Sequence, residues 1–394
     1  MKIVVVYQYF GSKKSGWSTR FYDFAIEWQQ QGCEVEIITS PYYKSDIQSI
    51  DGFINKIEVD GIKVTVVNTP DSNRDSFLRR AVNALLFSLT SSWLVLKRRA
   101  DVFIFSSGPI TVGIPMLFKR LFKHKGIIFE HRDIWPDGAI EMGLLSGWKA
   151  NFAKRFGNYL NRKANAVIVC SDGMRDVLRR RGVANVISIP HGCDLTLLDK
   201  IGNYELPEWT KNARILIYAG SLGFMDAVDE AIRGFINAEI PENTHLVILG
   251  DGADRQNLEG LVNASDKSER IHFLGLVSKL EMSQWYCVAE ASFILFKNFP
   301  ILSTSSPNKF FDSLTFGVAV IQNTNGWIQE IVYSEGIGYN VISGDISSMS
   351  KAIENALHNR LITKEMGQRA KILAIESLDR KKMANKYLEI VKGL

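Results

Sequence analysis

The stretch Ile215-Leu216-Ile217-Tyr218-Ala219-Gly220-Ser221-Leu222-Gly223 decides the fold class of this 394-residue chain. Its apolar run predicts a buried strand, and the glycine loop predicts a tight turn into a helix over about 228–238. The first half of the chain has the same order. A strand over 3–7 precedes a loop with Gly11 and Gly16, and a helix is expected over 19–31. Repeated strand–loop–helix units are typical of parallel α/β domains.

Further apolar runs predict two parallel sheets. Strands are expected at 35–39, 62–68, 102–106, 126–130, 166–170 and 186–189, and again at 245–249, 271–274, 291–296 and 318–322. The polar segment 194–212 predicts a linker between them. We expect an α/β protein with two Rossmann-like doubly wound domains, 1–195 and 196–378, that face a cleft. A helix over 379–394 is expected to cross back to the first domain.

Composition excludes several classes of protein. Hydrophobic residues make up 46% and charged residues 23%, which is ordinary globular usage and argues against disorder, collagen or a coiled coil. The four cysteines form no C-x-x-C pair, which argues against a disulfide scaffold or a zinc ribbon. A net charge of +5 is well short of a nucleic-acid binder. We expect a cytoplasmic protein with no signal peptide, no metal and no cofactor.

The candidate anion site is the segment 305–317. Ser306 suits the N-cap of a helix, Pro307 suits its first position, and Gly317 suits its end. A helix N-terminus offers free N–H groups and a partial positive charge, so it can bind an anion. A cation such as Lys309 is unfavourable in the first turn of a helix. Its presence there is explained if Lys309 and the N–H groups near Asn308 bind a diphosphate together.

Asp312 follows Asn308 by about one helical turn, and its carboxylate could accept hydrogen bonds from both hydroxyls of a ribose. The alternative for this segment is a capped surface helix with a solvated lysine. Gly250 and Gly252 form another glycine turn after a strand, which adds weight to a phosphate-binding edge in the second domain.

A second candidate site is the run Glu130-His131-Arg132-Asp133-Ile134-Trp135-Pro136-Asp137, at the carboxyl end of a predicted strand. Consecutive ionisable residues there are costly unless they are exposed or functional. His131 or Asp133 could handle the proton of an incoming hydroxyl. The alternative is a polar loop in which Arg132 pairs with a neighbouring acid.

Two basic and apolar segments suggest a membrane surface. Arg79 and Arg80 precede the apolar run 81–96, and Lys97, Arg98 and Arg99 follow it. Segment 117–125 has a similar character. The run is too short to span a bilayer but could lie on an anionic leaflet. The alternative is a pair of core helices with solvated basic ends.

Together these motifs resemble the family 4 glycosyltransferases of GT-B architecture over nearly the whole chain. The landmarks are 1–5 with 32–39, 169–171, 189–194, 218–223, 250–252 and 273–277. Within the family, the sequence is most similar to amino-sugar and fucosamine transferases that make bacterial surface polysaccharides. Arg132-Asp133-Ile134-Trp135-Pro136 and the segment 306–317 carry that similarity.

The resemblance implies a retaining transferase that moves a sugar, an N-acetylamino sugar in this subgroup, from a UDP-sugar to a lipid-linked saccharide at the inner face of the cell membrane. Lys309, His131 and Asp133 are the catalytic candidates, and Gly16, Arg132 and Trp135 are the acceptor-side candidates. The candidate donor-binding residues are Gly220, Ser221, Gly223, Gly252, Leu276, Ser306, Pro307, Asn308 and Asp312.

The sequence departs from the family pattern at three positions. The first of two family glutamates falls on Thr304 and the second on Asp312, while Ser221 replaces an arginine of the phosphate loop. These changes keep two alternatives open, a sugar-nucleotide epimerase of the same fold and a non-catalytic nucleotide-sugar-binding protein. The oligomeric state is not predicted.

Overall fold

A computed structural model describes residues 1–15, 18–49, 51–72, 75–122, 124, 126–202 and 205–394. The chain forms two compact units. Unit 1 comprises Met1–His191 together with Arg380–Leu394, and unit 2 comprises Gly192–Asp379. The predicted boundaries after 195 and 378 lie close to these observed ones.

Unit 1 contains an eight-stranded sheet of order β3-β4-β2-β1-β5-β6-β7-β8. Its neighbouring strands pair in parallel except β3 and β4, which are antiparallel. The strands are β1 Lys2–Val6, β2 Glu34–Thr39, β3 Ile54–Val59, β4 Ile62–Val67, β5 Val102–Ser106, β6 Ile127–His131, β7 Ala166–Val169 and β8 Val186–Ser188.

Helices cover both faces of this sheet, and two separate apolar cores result. They are α1 Arg20–Gln30, α2 Phe77–Leu96, α3 Gly113–Leu121, α4 Asp137–Glu141, α5 Gly147–Lys163, α6 Asp172–Arg180 and the C-terminal helix Arg380–Lys392. Residues of α1 and the C-terminal helix share one core, whereas α2, α3 and α5 supply the other. Parallel strands need such cover because both of their faces are apolar.

The C-terminal helix is held on α1 by polar contacts as well as by packing. Trp28 Nε1 donates to the Ala384 carbonyl at 2.9 Å. The buried Arg380 guanidinium donates to Asp23 at 2.6 Å and to Thr19 Oγ1 at 2.8 Å. The end of the chain is therefore part of unit 1.

Unit 2 contains a six-stranded parallel sheet of order β11-β10-β9-β12-β13-β14. Its strands are β9 Arg214–Ala219, β10 Thr244–Leu249, β11 Ile271–Gly275, β12 Ala289–Ile294, β13 Ala319–Gln322 and β14 Gly338–Asn340. Its helices are α7 Val228–Asn237, α8 Arg255–Asn263, α9 Lys279–Val288, α10 Asn308–Phe316, α11 Trp327–Glu335, α12 Ile346–His358 and α13 Arg360–Glu376.

The predicted fold class is confirmed, because both units are doubly wound α/β domains. The predicted linker contains two short 3-10 helices, Leu195–Lys200 and Glu208–Asn212. Among the described residues, no helix combines the length and the apolar content that crossing a membrane requires.

Candidate active site

Glycine turns bring three strand ends of unit 2 together through direct backbone contact. The Gly250 N–H donates to the carbonyl of Gly275 at 2.7 Å. A Cβ on Gly250 would lie 1.7 Å from the carbonyl oxygen of Gly220, and one on Gly252 would lie 2.2 Å from that of Leu222. Because side chains cannot fit there, these glycines allow the loops after β9, β10 and β11 to form one edge.

Helix α10 begins one residue later than the sequence predicts. Asn308 is its first residue, and Pro307 occupies the N-cap position with extended backbone, so Ser306 is not the N-cap. Gly317 ends the helix in the left-handed conformation, as expected. The hydroxyl of Ser306 is buried and has no hydrogen-bond partner in the part of the chain that the structure describes. A polar atom is thus available immediately before the helix N-terminus.

Lys309 lies in the first turn of α10 and is only 5% exposed. Its Nζ donates to the Tyr218 hydroxyl at 3.0 Å, to an Asp226 carboxylate oxygen at 3.2 Å and to the Leu295 carbonyl at 3.3 Å. Burial lowers the pKa of Lys309 below its usual value, and the negative charge of Asp226 opposes that change. The alternative of a solvated surface lysine is therefore wrong.

Asp226 organises the loop after β9, and the sequence analysis did not find it. Its carboxylate accepts hydrogen bonds from the Ser221 hydroxyl, from the Gly223 N–H at 3.2 Å and from the Tyr218 hydroxyl at 3.1 Å. Burial, followed by the Asp226 charge, raises the pKa of Tyr218 well above its usual value. The only sequence signal was an acidic residue soon after the glycine loop.

Asp312 is almost fully buried and bonds to a lysine that the sequence analysis also missed. Lys279 Nζ donates to both carboxylate oxygens, at 2.6 and 2.7 Å. Lys279 is the first residue of α9, directly after the N-cap Ser278. Leu276, which we expected beside the nucleotide base, is exposed on the loop between β11 and α9.

The candidate residues of unit 1 cluster at the end of β6. His131 is buried, and its Nε2 lies 2.6 Å from the Asn161 amide oxygen. With the Asn161 amide oxygen facing it, Nε2 is the ring nitrogen assigned the proton, which leaves Nδ1 as the acceptor in the neutral ring. Nδ1 is buried without a hydrogen-bond partner among the described residues. Burial lowers the pKa of His131 below its usual value, which favours the neutral ring.

The neighbours of His131 differ in their environments. Arg132 donates from Nη2 to the Ser18 hydroxyl at 2.8 Å, whereas the Asp133 side chain is exposed. Trp135 is half-buried and packs against the core beneath α2, α3 and α5. Gly16, the remaining acceptor-side candidate, lies outside the described residues.

The described residues contain no cluster of three or more His, Cys, Asp or Glu side chains that could hold a metal ion. In unit 2, the Lys309 amine lies in the first turn of α10, close to the backbone N–H groups at the start of that helix. Such an arrangement can stabilise charge that develops on a phosphate leaving group.

Family comparisons match both units of the chain. Residues 15–192 match the family described as "Glycosyl transferase 4-like domain", and residues 206–373 match "Glycosyl transferases group 1". No curated protein matches the sequence significantly.

Solved structures share the fold at low sequence identity. Sucrose-phosphate synthase from Thermosynechococcus elongatus is 14% identical, with a TM-score of 0.77, and the match covers 100% of this chain and 98% of that one. The Anabaena protein HepE in complex with UDP and glucose is 14% identical with a TM-score of 0.70, over 100% of both chains. WaaG, a glycosyltransferase involved in lipopolysaccharide biosynthesis, is 14% identical with a TM-score of 0.67, and the match covers 100% of both chains.

The chain therefore belongs to the GT-B glycosyltransferases that join a glycosyl transferase 4-like domain to a group 1 domain, and it is an enzyme of that class.

Proposed function

We propose that this glycosyltransferase uses a UDP-sugar, held by unit 2, as its donor. The observation that carries the proposal is the buried Lys309 amine, which lies in the first turn of α10 and bonds to the loop after β9 through Asp226. The unpartnered hydroxyl of Ser306 is a further donor at the same helix start. The solved HepE structure contains UDP and glucose, which supports a uridine nucleotide.

The chemistry follows from where charge develops. When the bond between the sugar and the diphosphate breaks, negative charge grows on the leaving UDP. The Lys309 amine already donates to three acceptors, so its charge acts on the leaving group through space, or one of these bonds is exchanged for a bond to a phosphate oxygen. An interaction that strengthens as the bond breaks raises kcat rather than ground-state binding alone. We assign a retaining outcome to the transfer, in keeping with the family resemblance.

We assign the acceptor to unit 1 and propose that it is a lipid-linked saccharide of surface-polysaccharide biosynthesis. The support is the polar cluster at the end of β6, where ligands of parallel sheets bind. Burial favours the neutral ring of His131, which is the state a general base requires, and Nδ1 has no hydrogen-bond partner among the described residues. Asp133 is the exposed carboxylate of the same loop.

Helix α2 supports a membrane-surface location because its apolar side chains face outward. Its exposed residues include Leu78, Val82, Leu85, Leu86, Leu89, Trp93 and Leu96. The neighbouring helices add exposed side chains at Leu121, Phe122, Trp148 and Phe152. Exposed apolar surface of this extent beside basic residues is typical of proteins that lie on anionic lipid.

The basic residues around α2 do not all remain free for lipid. Arg98 bonds to Glu36 and Thr65, and Lys119 bonds to backbone carbonyls beneath α2. Lys97 lies 3.7 Å from the Trp93 ring centroid, where apolar and cationic surface meet. Because several basic residues bond within the protein, we propose that the apolar side chains of α2 make the larger contribution to the membrane contact.

The donor is tested by incubating the purified full-length chain with UDP-, GDP- and ADP-sugars and recording its melting temperature. We expect UDP-sugars to raise it, since a ligand that binds only the folded state stabilises it. Release of UDP that depends on an added lipid-linked saccharide then establishes transfer. If an epimerised UDP-sugar forms without acceptor, the protein is an epimerase instead. If a UDP-sugar binds but no turnover is seen, the protein is a non-catalytic nucleotide-sugar-binding protein.

Membrane contact is tested by cosedimentation with vesicles that contain about one-third anionic lipid. Replacing Leu85, Leu89 and Trp93 together by Gln should release the protein, because each apolar side chain contributes on the order of 1 kcal/mol of burial. Leu361→Gln removes a leucine of unit 2 that is 80% exposed and serves as the control. If the unmodified protein stays in the supernatant, the membrane proposal is wrong.

A further inference from the structure

Arg132 is half-buried, and no described carboxylate forms an ion pair with it within 4 Å. Its Nη2 donates to the Ser18 hydroxyl at 2.8 Å, and its guanidinium carbon lies 5.2 Å from the centroid of the Tyr7 ring. Its Nη1 is buried and has no hydrogen-bond partner in the described ranges. A guanidinium does not lose its proton in a protein, so this charge persists.

Two nearby carboxylates, Glu130 and Asp133, act on Arg132 without touching it. Burial opposes the charge of Arg132, but its pKa is raised overall, with the charges of these two carboxylates among the causes. Glu130 is fully buried, but it pairs with Arg20 at 3.4 Å and accepts from the Ser106 hydroxyl at 3.1 Å. The exposed Asp133 forms no ion pair with Arg132 within 4 Å in the described structure. The alternative in which Arg132 pairs with a neighbouring acid therefore stays open, because Glu130 and Asp133 act on its charge without forming a contact ion pair.

A buried N–H group without a hydrogen-bond partner costs folding free energy unless a ligand or water accepts from it. Arg132 meets the conditions for a ligand site of this kind. It follows the last residue of β6, at the carboxyl edge of a parallel sheet, and Ser18 lies just before the N-terminus of the eleven-residue helix α1. The planar guanidinium fork matches the oxygens of a phosphate group.

We infer that unit 1 recognises its acceptor through a phosphate group, which binds to Arg132 and Ser18 at the end of β6. The inference rests on the proposed assignment of the acceptor to unit 1, and it specifies the acceptor class. The phosphate belongs either to a diphosphate that links a saccharide to a lipid or to a free sugar phosphate.

The first experiment titrates inorganic phosphate into the full-length chain saturated with UDP, so that Lys309 is already occupied. The melting temperature should rise with phosphate. Arg132→Gln should raise the apparent dissociation constant about 10- to 100-fold, the loss expected for hydrogen bonds to a charged group. Arg132→Lys keeps the positive charge but loses the planar guanidinium, so its apparent dissociation constant for phosphate should lie between those of the unmodified protein and Arg132→Gln. The control Arg180→Gln removes an exposed arginine from the end of α6 and should change nothing.

The same variants separate ligand binding from a structural role. If the charge is unpaired, ligand-free Arg132→Gln should melt at the same temperature as the unmodified protein or higher. A clear fall in that temperature would show that the guanidinium is satisfied in the free protein and would overturn the inference. An unchanged phosphate response in Arg132→Gln, or an equal response of the unmodified protein to acetate, would also overturn it.

Turnover identifies the source of the phosphate. A hexose 6-phosphate and a diphosphate-linked lipid saccharide are compared with the same sugars lacking phosphate, and equal use of the unphosphorylated sugars would refute the inference. If the protein does not bind UDP at all, the proposed function fails. Arg132 is then tested by phosphate titration of Lys309→Met, in which the lysine of unit 2 is absent.

Discussion

Replacing Lys309 by Met tests the candidate donor site most directly, since it removes the amine and keeps an unbranched chain of similar length. The stability cost can be worked out from the contacts. Removing one partner of a buried ion pair costs about 3–5 kcal/mol. Asp226 would keep three donors, the Ser221 and Tyr218 hydroxyls and the Gly223 N–H. Those donors already satisfy most of the carboxylate, so we expect a loss of about 2 kcal/mol.

A loss of this size corresponds to a fall in melting temperature of about 4–8 °C for a domain as large as unit 2. The double variant with Asp226→Asn should lose less than the sum of the two single variants, because the residues are in contact. Urea unfolding of the unmodified protein, the two single variants and the double variant measures this coupling. Strict additivity would show that the ion pair between Lys309 and Asp226 contributes nothing to stability.

The functional effect of Lys309→Met should exceed its effect on stability. Loss of one preorganised donor to a leaving group lowers kcat by about 10²- to 10³-fold. UDP should bind more weakly while uridine binds as before, since only UDP carries the diphosphate. Calorimetric titration of both ligands decides this, with Lys364→Met as the control because that lysine is exposed on α13. An equal loss for uridine and UDP, or an unchanged kcat, would refute the phosphate role of Lys309.

Three other variants test separate parts of the structure. Asp312→Asn should weaken uridine binding about 10-fold and leave pyrophosphate binding unchanged, and an equal loss for both would argue against a ribose contact. Because burial lowers the pKa of His131, the unfolded chain takes up its proton first, and stability should fall as the pH drops below about 6.5. In His131→Gln, the free energy of unfolding measured in urea should depend less on pH between pH 5 and 8. The same pH dependence in the variant and the unmodified protein would contradict this prediction. Arg380→Met should destabilise unit 1 by about 3 kcal/mol in urea unfolding, because it leaves Asp23 without its 2.6 Å partner.

The order of most strands and helices was predictable because the central parallel strands are buried on both faces and read as apolar runs. The edge strand β3 was missed for the opposite physical reason. Ile54–Val59 alternates between exposed and partly buried residues and carries polar side chains, so it forms no apolar run. Its partner β4 supplies the hydrogen bonds that make it a strand.

The candidate site could be predicted from the sequence only at a residue that is unfavourable in its own helix. Lys309 is such a residue, because a cation is unfavourable in a first helical turn. Asp226 and Lys279 gave no comparable local signal, since they meet Lys309 and Asp312 only through folding, across 83 and 33 residues of the chain.

The helix start shows how a one-residue error changes the chemistry of a site. Pro307 keeps an extended backbone, with φ −76° and ψ 136°, so the helix cannot include it. An N-cap serine would have its hydroxyl occupied by the helix N–H groups. Because Ser306 lies one residue farther out, its buried hydroxyl is left without a partner among the described residues.

The Lys279–Asp312 pair is compatible with the ribose role proposed for Asp312. A carboxylate has about four lone-pair sites on its two oxygens. Lys279 takes one on each oxygen, so one on each remains for the two ribose hydroxyls. The amine also holds the carboxylate in one orientation, which lowers the entropy cost when the ribose binds. If a ribose binds at Asp312 as expected, Lys279 would orient this carboxylate without competing with the nucleotide. The shorter Asp312, which replaces the family's glutamate, is then accompanied by a lysine from the start of α9.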